Sequence, residues 1–169
     1  MSMAVQCIDC PSFYAIPSGR RLSDNFKDLV KNIKNQFKEI CEPSTTNSLI
    51  EIYLEEAVKS LIEIYKECSK PDWDGYNALP ITANAFEEAG KIINLLPTSI
   101  PMPEIMAEPG GEIGFEWRKG NRLVFVLSVG GKHEINYAGI FWSNKIHGSE
   151  YFGESLPSLI IENLRRLYS

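Results

Sequence analysis

Glycine-containing turn signals recur at intervals of ten residues in the second half of the chain. Gly110-Gly111, Gly120-Asn121 and Gly130-Gly131 bound short segments that are rich in Ile, Phe, Trp, Leu and Val. Turn residues at this spacing between β-prone segments are typical of an antiparallel meander. The sequence therefore predicts four strands, near residues 104–109, 112–119, 122–129 and 133–142.

The parity of the hairpin loops decides which side chains share a face of this sheet. A loop over residues 119–121 puts Trp117 opposite Leu123, and one face of the hairpin then becomes fully apolar. In the next hairpin the same reasoning puts Leu127 opposite Ile135. We therefore expect loops of three or five residues, each with a glycine-supported bulge.

The opposite face of the predicted sheet is polar at its edges and apolar near its centre. It carries Glu116, Arg118, Val124, Val126, Ser128, Glu134, Asn136 and Ala138. Such a face is too apolar to be plainly solvated, so we expect the N-terminal helices, a second copy of the chain or a partner to cover it. Val124, Val126 and Asn136 are its candidate interface residues.

Helical periodicity marks four further segments, over about residues 24–41, 48–67, 83–96 and 156–167. Thr82 is predicted to cap the third helix, with Ile81 and Phe86 at the hydrophobic-staple positions. We expect an α+β fold in which a helix packs on the four-stranded antiparallel meander, with an N-terminal helical pair and a C-terminal helix.

The domain organisation that follows has two parts, which we expect to form one compact unit. Residues 1–70 hold an N-terminal arm and two amphipathic helices, and residues 71–169 hold the α+β meander domain.

The charge balance argues against a nucleic-acid partner, because the net charge is −5 and the pI about 5.1. A lysine stripe on the first helix, Lys27, Lys31, Lys34 and Lys38, is either a surface for nucleic acid or anionic lipid, or a solvated helix face. Asp28 and Glu39 dilute its charge, which favours the solvated face.

The chain lacks an apolar segment of the ~18 residues that a transmembrane helix needs, and its first residues lack a signal-peptide core. We therefore expect a cytoplasmic protein without a membrane partner, whose four cysteines are reduced thiols.

The two-residue spacing of Cys7 and Cys10 is that of a zinc half-site or a redox pair. A structural zinc needs four ligands, and the sequence has no second pair of this kind. His133 and His147 are far away along the chain. We expect no metal and no cofactor.

An aromatic loop, Trp73-Asp74-Gly75-Tyr76, separates the second and third predicted helices. In a structural interpretation, Asp74 bonds the backbone of the turn while Trp73 and Tyr76 fill the gap between helix and sheet. In a functional interpretation, the loop binds a ligand beside candidate acids. The candidate binding residues are then Trp73, Asp74, Tyr76, Glu116, Trp117 and His147.

A series of short motifs begins at this loop and continues to the last helix. They are Pro80-Ile81, Leu96-Pro97, Gly111-Glu112-Ile113, Glu116-Trp117, Tyr137-Ala138-Gly139, Gly148 and Leu156-Pro157. With the Trp-Asp-Gly-Tyr loop, this pattern resembles a widespread, uncharacterised family of small bacterial proteins. Members of that family occur beside mobile-element and defence genes, so the resemblance implies an antitoxin-like or regulatory role.

Two functions follow from these observations. The first is a non-enzymatic protein-interaction or regulatory module, which binds a protein partner or forms a homodimer. The alternative is a small hydrolase or ligand-binding enzyme that uses the Trp73/Asp74/Tyr76 loop with Glu116. Because no catalytic constellation or phosphate-binding loop is evident, the sequence favours the first.

Overall fold

The computed structural model describes residues 48–169 together with Asp28, Lys31 and Asn35, which are helical and exposed. The remainder of the predicted arm and first helix lies outside the described residues, as do Cys7 and Cys10.

Three helices and five strands make up residues 48–169, so the α+β class is confirmed. The elements are α1 (Ser48–Cys68), α2 (Ala83–Leu95), β1 (Glu104–Ala107), β2 (Ile113–Arg118), β3 (Leu123–Val129), β4 (Glu134–Phe141), β5 (Asn144–Tyr151) and α3 (Ser158–Tyr168). The strands form one antiparallel sheet in the order β1-β2-β3-β4-β5, which is a simple meander.

The expectation of four strands is wrong by one, because β5 follows β4 through an atypical hairpin. Phe141 pairs with Asn144, which leaves only Trp142 and Ser143 in the loop. Two-residue hairpins usually place glycine, asparagine or aspartate where φ is positive. Here Trp142 takes that conformation, with φ at 61°. The turn therefore carries no recognisable signal in the sequence.

The predicted loop parity is confirmed, but the predicted pairs are displaced by two residues. Trp117 lies opposite Phe125 rather than Leu123, and Leu127 lies opposite Tyr137 rather than Ile135. A shift by two residues keeps every side chain on its predicted face, because side chains alternate with a period of two. The apolar pattern therefore predicts on which face of the sheet each side chain lies, but not which residues pair across neighbouring strands.

The inner face of the sheet and the three helices of residues 48–169 share a single hydrophobic core. Leu61 of α1, Phe86 of α2 and Leu164 of α3 are each fully buried in the same cluster as Phe115 and Phe125 of the sheet. Helix α1, from the predicted N-terminal part, therefore shares the core of residues 71–169. Within the described helices, none combines the length and apolar character needed to cross a bilayer.

The start of α2 forms as its sequence predicts. The Thr82 hydroxyl oxygen accepts a hydrogen bond from the Ala85 N–H at 3.1 Å, which satisfies one free donor of the first turn. Ile81 and Phe86, at the two staple positions, are both buried in the core. This cap directs α2 onto the sheet.

Candidate functional site

The outer face of the sheet, which points away from the common core, collects most of the candidate residues. Glu116 pairs with Val126, and the same row continues through Ala138 to His147 on β5. Asn136 lies on this face one row away, where it accepts a hydrogen bond from the Ser149 hydroxyl at 2.6 Å. The structure thus brings Glu116, Val124, Val126, Asn136 and His147 together on one surface.

The centre of the outer face is apolar. Val124 and Ile140 form one row, and Val126 and Ala138 form the next. Val124 is 8% exposed although it does not belong to the common core, whereas Ile140 is 39% exposed. An apolar centre with polar surroundings is the arrangement expected of a docking surface.

The two ends of the outer face carry opposite charge. At one end, called the acidic end, Glu112 lies within electrostatic range of Glu108, Glu134 and Lys132. At the other end, called the basic end, Arg118 on β2 and Lys145 on β5 flank the row of Val124 and Ile140. Arg118 also pairs with Glu116, 2.6 Å between nitrogen and oxygen. The face is therefore polarised along the strands.

Glu108 and Glu112 form a carboxyl pair at the acidic end. Glu108 accepts a hydrogen bond from the Ser128 hydroxyl at 2.6 Å, and a side-chain hydrogen bond also joins it to Glu112. Burial and the charge of Glu108 raise the pKa of Glu112 above its ordinary value, although Lys132 opposes this shift. The folded protein therefore holds a proton at Glu112 more tightly than the unfolded chain does.

Glu112→Gln should stabilise the folded monomer at neutral pH. Folding raises the pKa of Glu112, so the protonated side chain is favoured in the folded state. The contribution of Glu112 to the free energy of unfolding is therefore favourable at low pH and is lost as pH rises through the folded-state pKa. Glutamine remains neutral at every pH and so avoids this loss. We expect a gain of up to about 1 kcal/mol in the free energy of unfolding at neutral pH, since the site is partly screened by solvent. The gain should shrink as the pH falls. Urea unfolding from pH 4 to 8 measures this, with the exposed Glu154→Gln as control; an equal effect of both substitutions would contradict the explanation.

The Trp73 loop matches the structural interpretation at two of its three side chains. The Asp74 Oδ1 atom accepts hydrogen bonds from two backbone N–H groups, that of Tyr76 at an N–O distance of 2.8 Å and that of Ala78 at 3.1 Å. The Trp73 indole N–H donates to the Leu79 carbonyl at 3.0 Å, and its ring packs against the core. Tyr76 is 86% exposed, so the expectation that it fills the gap between helix and sheet is wrong.

The remaining candidates do not join the Trp73 loop. Trp117 is 1% exposed on the inner face, and its indole N–H donates to the Pro101 carbonyl at 2.8 Å, which places it in the core. Glu116 bonds Arg118 on the outer face, while Asp74 bonds its own loop. Within residues 48–169, no hydrogen bond links these two carboxylates through a common partner.

A buried carboxylate that no sequence motif indicates anchors the β3–β4 loop to α2. Glu88 is 4% exposed and accepts the N–H groups of Gly131 and His133, both at 2.7 Å. The His133 ring nitrogen Nδ1 lies 3.4 Å from the same carboxylate. The only signal in the sequence is the position of Glu88, which shares the apolar side of the helix with Ala85 and Ala89. This contact determines where the loop lies.

A cleft beside the C-terminal helix was also missed. Its volume is about 520 Å³, and it is lined by Lys119, Leu123, Phe141, Trp142, Arg166, Leu167 and Ser169. It lies where the β2–β3 and β4–β5 turns meet, since the Trp142 N–H donates to the Arg122 carbonyl at 2.7 Å. No motif predicted it, because its residues come from three separate parts of the chain.

Comparison with known proteins gives no match: neither a family model, nor a curated protein, nor a solved structure is significantly similar to this chain. The resemblance to the bacterial family therefore stays a prediction. Among the described residues, no group of three or more His, Cys, Asp or Glu side chains is arranged to hold a metal ion.

Proposed function

We propose that this protein is a non-enzymatic protein-interaction module whose docking surface is the outer face of the sheet. The observation that carries the proposal is the apolar centre of that face, formed by Val124, Val126, Ala138 and Ile140, outside the common core. The three described helices instead pack their buried apolar residues with the inner face.

A second copy of the chain is the occupant that the charges favour. A twofold axis between two outer faces, running across the strands, places the acidic end of each copy on the basic end of the other. Glu112 and Glu134 of one copy then approach Arg118 and Lys145 of the next. A polarised face is complementary to itself in this way, and charge complementarity adds specificity to an apolar contact.

The resemblance to proteins encoded beside mobile-element and defence genes supports a regulatory, antitoxin-like role for this module in the bacterial cytoplasm. In this proposal the dimer, rather than a catalytic site, is the functional unit. The hydrolase alternative has less support, since Asp74 already accepts two backbone N–H groups in its own turn.

Ala138→Glu should convert the dimer to a monomer. Ala138 is exposed at the centre of the outer face, so the new carboxylate costs little within one copy but is desolvated between two. Val126→Glu, in the same row, should act in the same way. We expect the association free energy to become less favourable by at least about 3 kcal/mol, which raises Kd more than a hundredfold.

Sedimentation equilibrium over a wide concentration range measures this, with circular dichroism to check folding. Leu159→Glu is the matched control, because Leu159 is 38% exposed and belongs to α3, the helix that shares the core with the inner face. A wild-type chain that is monomeric at all concentrations would contradict the homodimer. A dimer that survives both outer-face substitutions would show that another surface forms it.

A further inference from the structure

The cleft beside the C-terminal helix has the side chains of a small-molecule site, and it is separate from the proposed docking surface. Leu123 and Phe141 lie opposite each other on the inner-face parity of β3 and β4, and Arg166 and Leu167 belong to α3. A volume of about 520 Å³ is within the range of clefts that bind small ligands.

Trp142 is the most unusual residue of this cleft. It is 68% exposed, so its large indole surface contributes little to the folded state. It also adopts a positive φ of 61°, which is unfavourable for a bulky side chain and common for glycine or asparagine. Neither burial nor turn geometry therefore explains a tryptophan here. A flat, exposed indole is, however, a surface on which an aromatic ring stacks.

Two cations lie in the same cleft. The Arg166 guanidinium sits over the Phe141 ring, 4.5 Å from its centroid, and this contact orients the guanidinium. Among the described residues, no carboxylate forms an ion pair with Arg166. Lys119 donates only a long hydrogen bond, 3.5 Å, to a main-chain oxygen of Ser169. Both cations therefore retain donors for an anionic group.

We propose that this cleft binds a small planar aromatic anion, with the ring stacked on Trp142 and the anionic group held by Arg166 and Lys119. The orienting stack of Arg166 on Phe141 suits a phosphate or carboxylate, because a guanidinium donates two parallel hydrogen bonds to such groups. A mononucleotide has this combination of ring and charge and is a convenient probe.

Isothermal titration calorimetry with adenosine 5′-monophosphate, adenosine and ribose 5-phosphate tests the two halves of the proposal separately. We expect the monophosphate to bind at least about tenfold more tightly than either fragment. Equal affinity for adenosine would overturn the role of the cations, and equal affinity for ribose 5-phosphate would overturn stacking. No heat of binding at millimolar monophosphate would overturn the site for this class of ligand.

Variants assign the binding to named side chains. Trp142→Asn should abolish monophosphate binding while leaving the melting temperature equal or higher, because asparagine tolerates positive φ. Arg166→Gln should weaken binding at least about tenfold, since glutamine lacks both the positive charge and the paired donors of the guanidinium. Arg165→Gln, at the preceding residue of α3 and outside the cleft lining, is the matched control. Unchanged binding in both cleft variants would overturn the proposal.

Discussion

Replacing Glu88 by alanine should lower the free energy of unfolding by about 3 kcal/mol, a large fraction of the stability of an ordinary domain. The carboxylate is buried and accepts the N–H groups of Gly131 and His133 at 2.7 Å. Alanine leaves both donors without an acceptor and also leaves a cavity beneath the loop. Urea unfolding monitored by tryptophan fluorescence measures the loss.

The neighbouring glutamate provides the control for this prediction. Glu87 lies on the same turn of α2 but is exposed, so Glu87→Ala should change stability by less than about 0.5 kcal/mol. Glu88→Gln keeps the shape of the side chain but removes its charge. The glutamine oxygen can accept a hydrogen bond from only one of the two loop N–H groups, and its NH₂ group then faces the other N–H donor. We expect a loss of at least about 2 kcal/mol for glutamine. A loss no greater than that of Glu87→Ala would show that Glu88 does not anchor the loop.

Gly131→Ala should also destabilise the protein by about 3 kcal/mol or more. A Cβ at this position would lie 2.6 Å from the Asn84 Cβ and 2.7 Å from the Ala85 nitrogen, so the loop or the first turn of α2 must move. The backbone φ of 80° adds a further penalty for any residue with a side chain. Movement of the loop also withdraws its N–H groups from Glu88.

Gly120→Ala separates these two effects. Gly120 has a similar φ of 87°, but a Cβ there would meet nothing within 4 Å. Its substitution should therefore cost only the conformational penalty, about 1 kcal/mol. Thermal unfolding of both variants by calorimetry gives the comparison. Equal losses at Gly120 and Gly131 would show that close packing against α2 has no energetic importance.

The elements that local chemistry specifies were predictable from the sequence. Thr82 caps α2 as expected, because a hydroxyl at that position bonds an N–H three residues later. The glycine-marked turns at 120 and 131 were recognised, since positive φ favours glycine. The turn at Trp142 was not, because its conformation is imposed on a residue that disfavours it. β5 was missed for this reason.

Part of the candidate site was likewise predictable from local sequence patterns, and part was not. Alternation alone placed Glu116, Val126 and Asn136 on one face, and the sheet confirms that arrangement. The same alternation assigned Trp117 to the apolar face, and the structure places it in the core. Sequence alone gave no means to find the cleft, because Lys119, Trp142 and Arg166 come together only when two turns and α3 meet.

The amino-acid sequence by itself determined the fold class, the face on which each strand residue lies and the cap of α2, because each depends on a short-range periodicity or a local hydrogen bond. Only the tertiary structure decided the register, the fifth strand and the cleft. It also decided the hydrogen bond between Gly131 and Glu88, which are 43 positions apart in the sequence. These features depend on contacts between distant segments, whose geometry is set by packing of the whole core rather than by any local pattern.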